Sequence, residues 1–135
     1  MKILACDIGD VWTGTAISDP LGMFARPYQT IETKNLSSFL SDLFNKEDIK
    51  TIIIGHPQTL RATSSEQTKK VEKVKVELEK EFTSKTFLFW DERLSSKKAE
   101  ALHKAKTKED KLKSHSVAAA FILEGYLAFA HPIQD

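Results

Sequence analysis

Two carboxylates in this sequence follow apolar, strand-like runs. Asp7 comes directly after residues 3–6, and Glu92 lies just beyond residues 86–90. A carboxylate at the end of a buried strand is costly unless a capped backbone turn or a bound cation compensates its charge. Two such carboxylates on neighbouring strands can hold divalent metal ions against a phosphodiester, where the ions activate water and stabilise the leaving oxygen.

Each carboxylate also has an ordinary structural explanation. Residues 7–9 suit a capped turn, and Arg93 can pair with Glu92 or with Asp91 in a salt bridge of small energetic weight. The residues alone therefore leave both the metal site and the structural explanation open.

The elements that would position these residues begin with strands. Residues 3–6, 15–18 and 23–31 are strand-like and are separated by turn residues, which predicts three antiparallel strands. Pro27 cannot donate a ladder hydrogen bond, so it either confines the third strand to an edge or interrupts it.

After the third strand the pattern changes from strand to helix. Apolar residues at helical spacing predict an amphipathic helix over residues 36–44, with Asn35 as its N-cap. The β-branched run at 51–54 predicts a central parallel strand that is covered on both faces. The first helix would then be the crossover connection between parallel strands.

The second half of the chain predicts a helix and the last strand. Ser64 and Gln67 can form a capping box, and apolar residues from Val71 to Phe82 mark one face of the helix that follows. Residues 86–90 predict the last strand. It delivers the polar triplet 91–93 to its carboxyl end, where open sheets bind ligands.

The remaining segments predict helices around a basic loop. Ser95 or Ser96 caps a helix, and the lysine-rich residues 104–113 lack a periodic apolar face, which predicts a loop. Residues 117–130 are apolar nearly all round, as in a helix packed closely on a sheet. The predicted fold class is α/β, with a mixed sheet of three antiparallel and then two parallel strands flanked by helices.

Length and composition exclude several classes of protein. A chain of 135 residues fits one domain over 1–135, and a formal charge of +1 provides no global positive field, so recognition of nucleic acid would have to be local. The single cysteine, Cys6, excludes an internal disulfide and a cysteine-cluster zinc site. Without a signal peptide or a membrane-spanning run, we expect a cytoplasmic protein with no membrane partner.

Four motifs carry a family resemblance through their order and spacing. They are Asp7-Ile8-Gly9 with Gly14-Thr15-Ala16-Ile17-Ser18-Asp19, then Gly55-His56-Pro57, then Asp91-Glu92-Arg93-Leu94-Ser95-Ser96, and finally an alanine-rich helix over 116–127. Over nearly its full length the chain resembles the YqgF family of candidate pre-16S rRNA nucleases, which are also described as Holliday-junction-resolvase-like. The resemblance implies a ribonuclease H-like fold with five strands. It also implies a metal-dependent endonuclease that processes the 5′ end of precursor 16S rRNA during ribosome biogenesis.

The resemblance also implies the catalytic residues. Asp7 and Glu92 match two metal ligands of the family, whose third carboxylate usually begins the final helix. In this chain that position is His115, just before Ser116. The implied cofactor is Mg²⁺ or Mn²⁺, and Mn²⁺ is favoured if His115 is a ligand, because Mg²⁺ prefers oxygen.

A second departure from the family lies in the first motif. A basic residue commonly precedes the Ile-Gly pair of the family, whereas this chain has Trp12 in the segment 11–14. Trp12 can stack on a base or pack on its neighbours. Arg93, Arg61 and the segment 104–113 are candidates for phosphate contacts, although ordinary solvation explains the lysines equally well.

Other functions remain open at this point. The implied partner is a structured rRNA precursor, alone or in a pre-ribosomal particle, but a four-way DNA junction requires the same site chemistry. A resolvase must act as a dimer, so both monomer and homodimer are compatible with the sequence. A catalytically weakened nucleic-acid-binding or ribosome-assembly factor is also possible. An ATPase with a similar first motif would need a second domain, which this length does not provide.

Overall fold

The N-terminal apolar run forms the central strand of the sheet. The computed structural model describes residues 1–56, 66–91 and 108–130, with the side chains of the last stretch described from residue 113. These residues contain five strands in the order β3-β2-β1-β4-β5. Their bounds are Lys2–Ile8 (β1), Trp12–Ser18 (β2), Ala25–Glu32 (β3), Ile49–His56 (β4) and Thr86–Asp91 (β5).

The pairing of the strands confirms the predicted mixed sheet. β1 pairs antiparallel with β2, and β2 pairs antiparallel with β3. On its other side β1 pairs parallel with β4, which pairs parallel with β5. Pro27 lies in the edge strand β3, beside a register shift, as its missing N–H predicts.

Three α-helices and one 3₁₀ turn accompany the sheet in the described residues. Their bounds are Thr33–Asn35 (the 3₁₀ turn), Leu36–Lys46 (α1), Glu66–Glu81 (α2) and Lys108–Ala130 (α3). Asn35 occupies the N-cap position of α1, but its side chain makes no capping hydrogen bond, because the 3₁₀ turn runs directly into the helix. No helix in these parts of the chain is long and apolar enough to span a membrane.

The start of α3 corrects the predicted basic loop. Residues 108–113 are helical, because Lys and Glu are good helix formers and the apolar face that follows holds this turn in place. The rest of that predicted loop lies outside the described residues. So do the predicted capping serine Ser64 and the helix expected to begin at Ser95 or Ser96.

The two faces of the sheet carry different cores because successive strand residues point to opposite sides. Leu4, Cys6 and Ile8 pack with α1 and α2, whereas Ala5 packs with α3. Burial, together with the neighbouring charge of Asp7, raises the pKa of the Cys6 thiol to about 12. Cys6 is therefore a protonated packing residue at neutral pH, as expected from its apolar surroundings.

Asp19 organises the turn between β2 and β3. Its carboxylate accepts backbone hydrogen bonds from Met23 at 2.8 Å, Phe24 at 2.7 Å and Leu21 at 3.2 Å. The Phe24 N–H is the main reason that the pKa of Asp19 lies below its ordinary value. Asp19 follows the end of β2 that is remote from Asp7, since Leu4 pairs with Ile17 and Asp7 with Gly14. Asp19 therefore stabilises this turn and does not lie beside Asp7.

We expect Asp19→Ala to lower the melting temperature, because three backbone N–H groups lose their acceptor. A lowered pKa means that the stabilisation is fully present above the ordinary aspartate pKa of about 3.9 and is lost as pH falls through the folded-state value. Thermal unfolding of parent and variant should thus differ at neutral pH and converge in strong acid. Asp19→Asn, which keeps one acceptor oxygen, should fall between them. An equal difference at both pH values would contradict the role of the carboxylate charge.

Candidate active site

Asp7 lies at the carboxyl end of the central strand. It is 9% exposed and precedes Ile8, the last residue of β1. Leu4, Cys6 and Ile8 face α1 and α2, so the alternation of the strand places Asp7 on the opposite face with Ala5, under α3. The sequence prediction of a carboxylate at the end of a buried strand is thus reproduced in the structure.

Gly14 brings the start of α3 to this carboxylate. It is the direct partner of Asp7 across the β1–β2 pair, where Cα atoms lie about 4.5–5.5 Å apart. A Cβ atom at Gly14 would overlap the backbone carbonyl of His115 and lie 2.7 Å from the Ser116 nitrogen. Only glycine therefore allows the α3 backbone to rest directly on β2 at this level.

His115 shares the sheet-facing side of α3. It lies four residues before Ala119 and seven before Ile122, both of which are completely buried against the sheet. The His115 side chain itself is half-buried. The family resemblance predicted Asp7 and His115 as ligands. These two residues thus lie on adjoining elements, near the carboxyl end of the central strand.

The turn after Asp7 is held from two sides. The Gly9 N–H donates to the Trp12 carbonyl at 3.0 Å, and a Cβ at Gly9 would lie 2.7 Å from that same oxygen. The Thr33 hydroxyl donates to the Gly9 carbonyl at 2.7 Å, and the Gln67 amide donates to the Ile8 carbonyl at 2.9 Å. The turn that follows the carboxylate is therefore fixed by the 3₁₀ turn and by α2.

Trp12 begins β2 at the same edge of the sheet. Its side chain is partly buried, and it pairs with Glu32 of β3. This position is compatible with either of its predicted roles, stacking on a base or packing on its neighbours.

The other predicted site residues lie outside the described residues. They are Glu92, Arg93 and Arg61. The described part of β5 ends at Asp91, which pairs with His56 of β4 and directly precedes Glu92 in the sequence.

His56, the last residue of β4, packs between β5 and α2. Its ring meets Phe89 edge-on at 4.7 Å between centroids, and its Nε2 lies 3.3 Å from Glu72. These contacts place His56 on the α2 side of the sheet, away from the face that carries Asp7.

Sequence reasoning missed three residues of this region: Gly14, Thr33 and Gln67. Gly14 was noted as part of a motif, but its contact with α3 joins residues far apart in the chain. Thr33 and Gln67 act through side-chain bonds to backbone carbonyls, for which the sequence contains no periodic signal.

The donor atoms available here suit a divalent metal ion. Asp7 supplies carboxylate oxygens and His115 an imidazole nitrogen, a mixture that transition ions such as Mn²⁺ accept more readily than Mg²⁺ does. Within residues 1–56, 66–91 and 113–130, no group of three or more His, Cys, Asp or Glu side chains could hold a metal ion. A complete metal site would therefore need a donor from outside these ranges, and Glu92 is the predicted one.

A family model and two curated relatives match nearly the full length of this chain. The family model RuvX, described as Holliday junction resolvase, matches residues 1–129. A relative from Rubrobacter xylanophilus is 33% identical over 127 residues, covering 93% of this chain and 91% of its own length. A relative from Clostridium botulinum strain Hall is 38% identical over 133 residues, covering 94% and 96%. Both relatives are named as candidate pre-16S rRNA nucleases.

A solved structure resembles the fold of this chain. RuvC from T. thermophilus, in complex with a Holliday junction substrate, matches with a TM-score of 0.59 at 14% identity and covers 96% of both chains. At this identity the likeness concerns the fold alone, and it confirms the ribonuclease H-like α/β architecture.

Proposed function

Because the chain belongs to the RuvX family, we propose that it is a metal-dependent endonuclease that processes the 5′ end of precursor 16S rRNA during ribosome biogenesis. The observation that carries the proposal is the contact of Gly14 with the α3 backbone, which brings His115 to the carboxyl end of the central strand, where Asp7 is the next-to-last residue. The names of the two curated relatives point to the rRNA precursor as substrate. We expect the protein to act in the cytoplasm, on free precursor or on a pre-ribosomal particle.

Three residues would bind the metal ion of such a nuclease. Asp7, Glu92 and His115 would hold the divalent ion, which when bound activates water and stabilises the leaving oxygen. Asp7 is pre-positioned, since it is nearly buried on the central strand and the turn behind it is fixed by Thr33 and Gln67. Such rigidity lets a site bind the transition state without reorganising.

Substrate contacts are proposed for three further residues. Arg93 and Arg61 would contact phosphates, which position the substrate without reading its sequence. Trp12 would stack on a base at the same edge of the sheet as Asp7.

Holliday junction resolution is the second candidate function. The family description names that activity, and the RuvC chain that shares this fold was solved with a junction. A junction resolvase cuts two strands symmetrically and therefore acts as a dimer, whereas processing one end of an rRNA requires only a monomer.

The test is cleavage of precursor 16S rRNA and of a four-way DNA junction side by side, each with Mg²⁺ and with Mn²⁺. Cleavage of the rRNA alone supports the proposal, and symmetrical cleavage of the junction by a dimer supports the second candidate. Glu92→Gln is the inactive control. Binding of either nucleic acid without cleavage under any metal condition would instead indicate a ribosome-assembly factor that has lost catalysis.

The metal preference gives a prediction for His115. We expect the parent to cleave faster with Mn²⁺ than with Mg²⁺, and His115→Asp to raise the Mg²⁺-supported rate, because Mg²⁺ prefers oxygen ligands to imidazole nitrogen. Initial rates with each ion measure the effect. Titration of the free-ion EPR signal of Mn²⁺ gives affinity independently of cleavage. Equal rates with the two ions, unchanged by the substitution, would remove His115 from the ligand set.

A further inference from the structure

A cavity lies on the opposite face of the sheet from Asp7, beneath the turn that follows it. Its volume is about 390 Å³, within the range of roughly 300–1,000 Å³ that is usual for small-molecule sites. The lining residues come from the end of β1, the turn, the 3₁₀ turn and one side of α2. They are Ile8, Gly9, Asp10, Thr33, Gln67, Lys70, Lys73, Val74 and Glu77.

The cavity combines apolar lining residues with exposed charged side chains. Ile8 and Val74 are the apolar residues, and apolar surface suits the face of a nucleobase. Thr33 and Gln67 each hold the turn through a side-chain hydrogen bond and form part of the cavity wall. The charged groups that α2 contributes to the cavity are Lys70, Lys73 and Glu77.

Two lysines can meet a phosphate at this cavity. Lys73 is exposed, and no hydrogen bond or ion pair joins it to another residue among those that the structure describes. Lys70 pairs with Asp10 at 3.1 Å, but both side chains are more than half exposed, so solvent screens the attraction between them. Lys70 can therefore exchange Asp10 for a phosphate at little cost.

Glu77 is the acidic group one helical turn beyond Lys73. It lines the same cavity and, within the described parts of the chain, has no hydrogen-bond or ion-pair partner. A carboxylate in this position repels phosphate but accepts hydrogen bonds from sugar hydroxyls, as in sites that read a ribose 2′-OH. That hydroxyl distinguishes RNA from DNA.

We infer that this cavity binds one ribonucleotide of the substrate strand, with its base on Ile8 and Val74, its phosphate at Lys70 and Lys73, and its 2′-OH at Glu77. The inference rests on the proposed nuclease function, because Ile8 directly follows Asp7 and a strand that crosses the turn reaches both sites. The cavity would thus give the nuclease a preference for RNA over DNA through residues other than the catalytic ones.

The first experiment measures binding without catalysis. Each of the four ribonucleoside 5′-monophosphates and its 2′-deoxy counterpart is titrated into the isotope-labelled protein, and amide shifts are followed by NMR. At least one ribonucleotide should shift the amides of Gly9, Lys70 and Lys73, and should bind more tightly than its deoxy counterpart. Lys73→Glu should weaken that binding about tenfold or more, because a cation is replaced by an anion. The matched control is Lys69→Glu, because Lys69 is exposed on the same helix but does not line the cavity, and it should leave the affinity unchanged.

A second variant tests the sugar contact. Glu77→Ala should bring the affinities for the ribo and deoxy forms together, whereas Glu66→Ala, at the exposed start of α2, should preserve their difference. Absence of binding at millimolar nucleotide, shifts confined to other surfaces, or equal losses in Lys73→Glu and Lys69→Glu would overturn the inference. Equal affinity of the parent for the ribo and deoxy forms would overturn the role of Glu77.

The result of these binding experiments can be distinguished from the result of the cleavage test of the proposed function. Cleavage of precursor rRNA by a protein whose cavity binds no nucleotide would refute the inference and leave the nuclease proposal standing. Nucleotide binding at the cavity of a protein that cleaves neither rRNA nor junction would do the reverse.

Discussion

Replacing Asp7 with asparagine should abolish cleavage while leaving the fold intact. Asparagine has nearly the same shape, so it fits a position that is 9% exposed, but it lacks the negative charge that a metal ligand at this site must supply. Loss of outer-shell partners of a metal ligand already costs about 10–100-fold in activity, so loss of a direct ligand should cost more than about 100-fold. Single-turnover cleavage of precursor 16S rRNA is the measurement.

The pKa of the Cys6 thiol reports whether Asp7→Asn has removed the negative charge. The charge of Asp7 contributes to the raised pKa of Cys6, after the larger effect of burial. In Asp7→Asn the Cys6 pKa should therefore fall but stay above its ordinary value. Asp42→Asn, an exposed carboxylate on α1, is the matched control and should retain full activity. Full cleavage by Asp7→Asn would show that the catalytic site lies elsewhere.

Replacing Gly14 with alanine has the largest expected effect on stability. The added Cβ would overlap the backbone of His115, and a helix backbone cannot move aside as a side chain can. Overpacking of a core typically costs about 1–3 kcal/mol, and we expect a value of about 3 kcal/mol or more here. Denaturant unfolding measures the loss, and cleavage should fall with it, since a displaced α3 carries His115 away from Asp7.

Gly125 provides the matched control on the same helix. A Cβ there would lie 3.0 Å from the Trp90 indole nitrogen, which belongs to a side chain that can turn slightly. Alanine also has a helix propensity about 1 kcal/mol better than glycine. Gly125→Ala should thus be nearly neutral. Equal stability of Gly14→Ala and the parent would mean that α3 does not rest on β2 as described.

The strands were the most predictable part of the fold because their signal is local. The runs at 3–6 and 51–54 are apolar and bounded by turn residues, and they became neighbouring central strands. The first turns of α3 were mistaken for a loop, because charged residues favour helix without showing an apolar period. The N-cap at Asn35 was located correctly, but its capping bond was not, since the preceding 3₁₀ turn cannot be read from residue types.

The candidate site was predictable to the extent that motifs mark it. Asp7 stood out as a charge at the end of an apolar run, and His115 stood out through the family resemblance. Their proximity depends on the contact of Gly14 with α3, which joins segments of very different sequence position. No local pattern encodes such a contact. The roles of Thr33 and Gln67 could not be predicted for the same reason, because these residues belong to later elements and bond to the carbonyls of Gly9 and Ile8.

The contact between β2 and α3 also sets when the site can exist during protein synthesis. Asp7 and Gly14 leave the ribosome early, and the strands that carry them can begin to pair while the chain is still growing. His115 is made about 100 residues after Gly14, and α3 extends to Ala130, so the helix docks only after the rest of the sheet has emerged. In a nascent chain beside ribosomal RNA, α3 therefore cannot rest on β2 and bring His115 towards Asp7 until synthesis has passed the final helix.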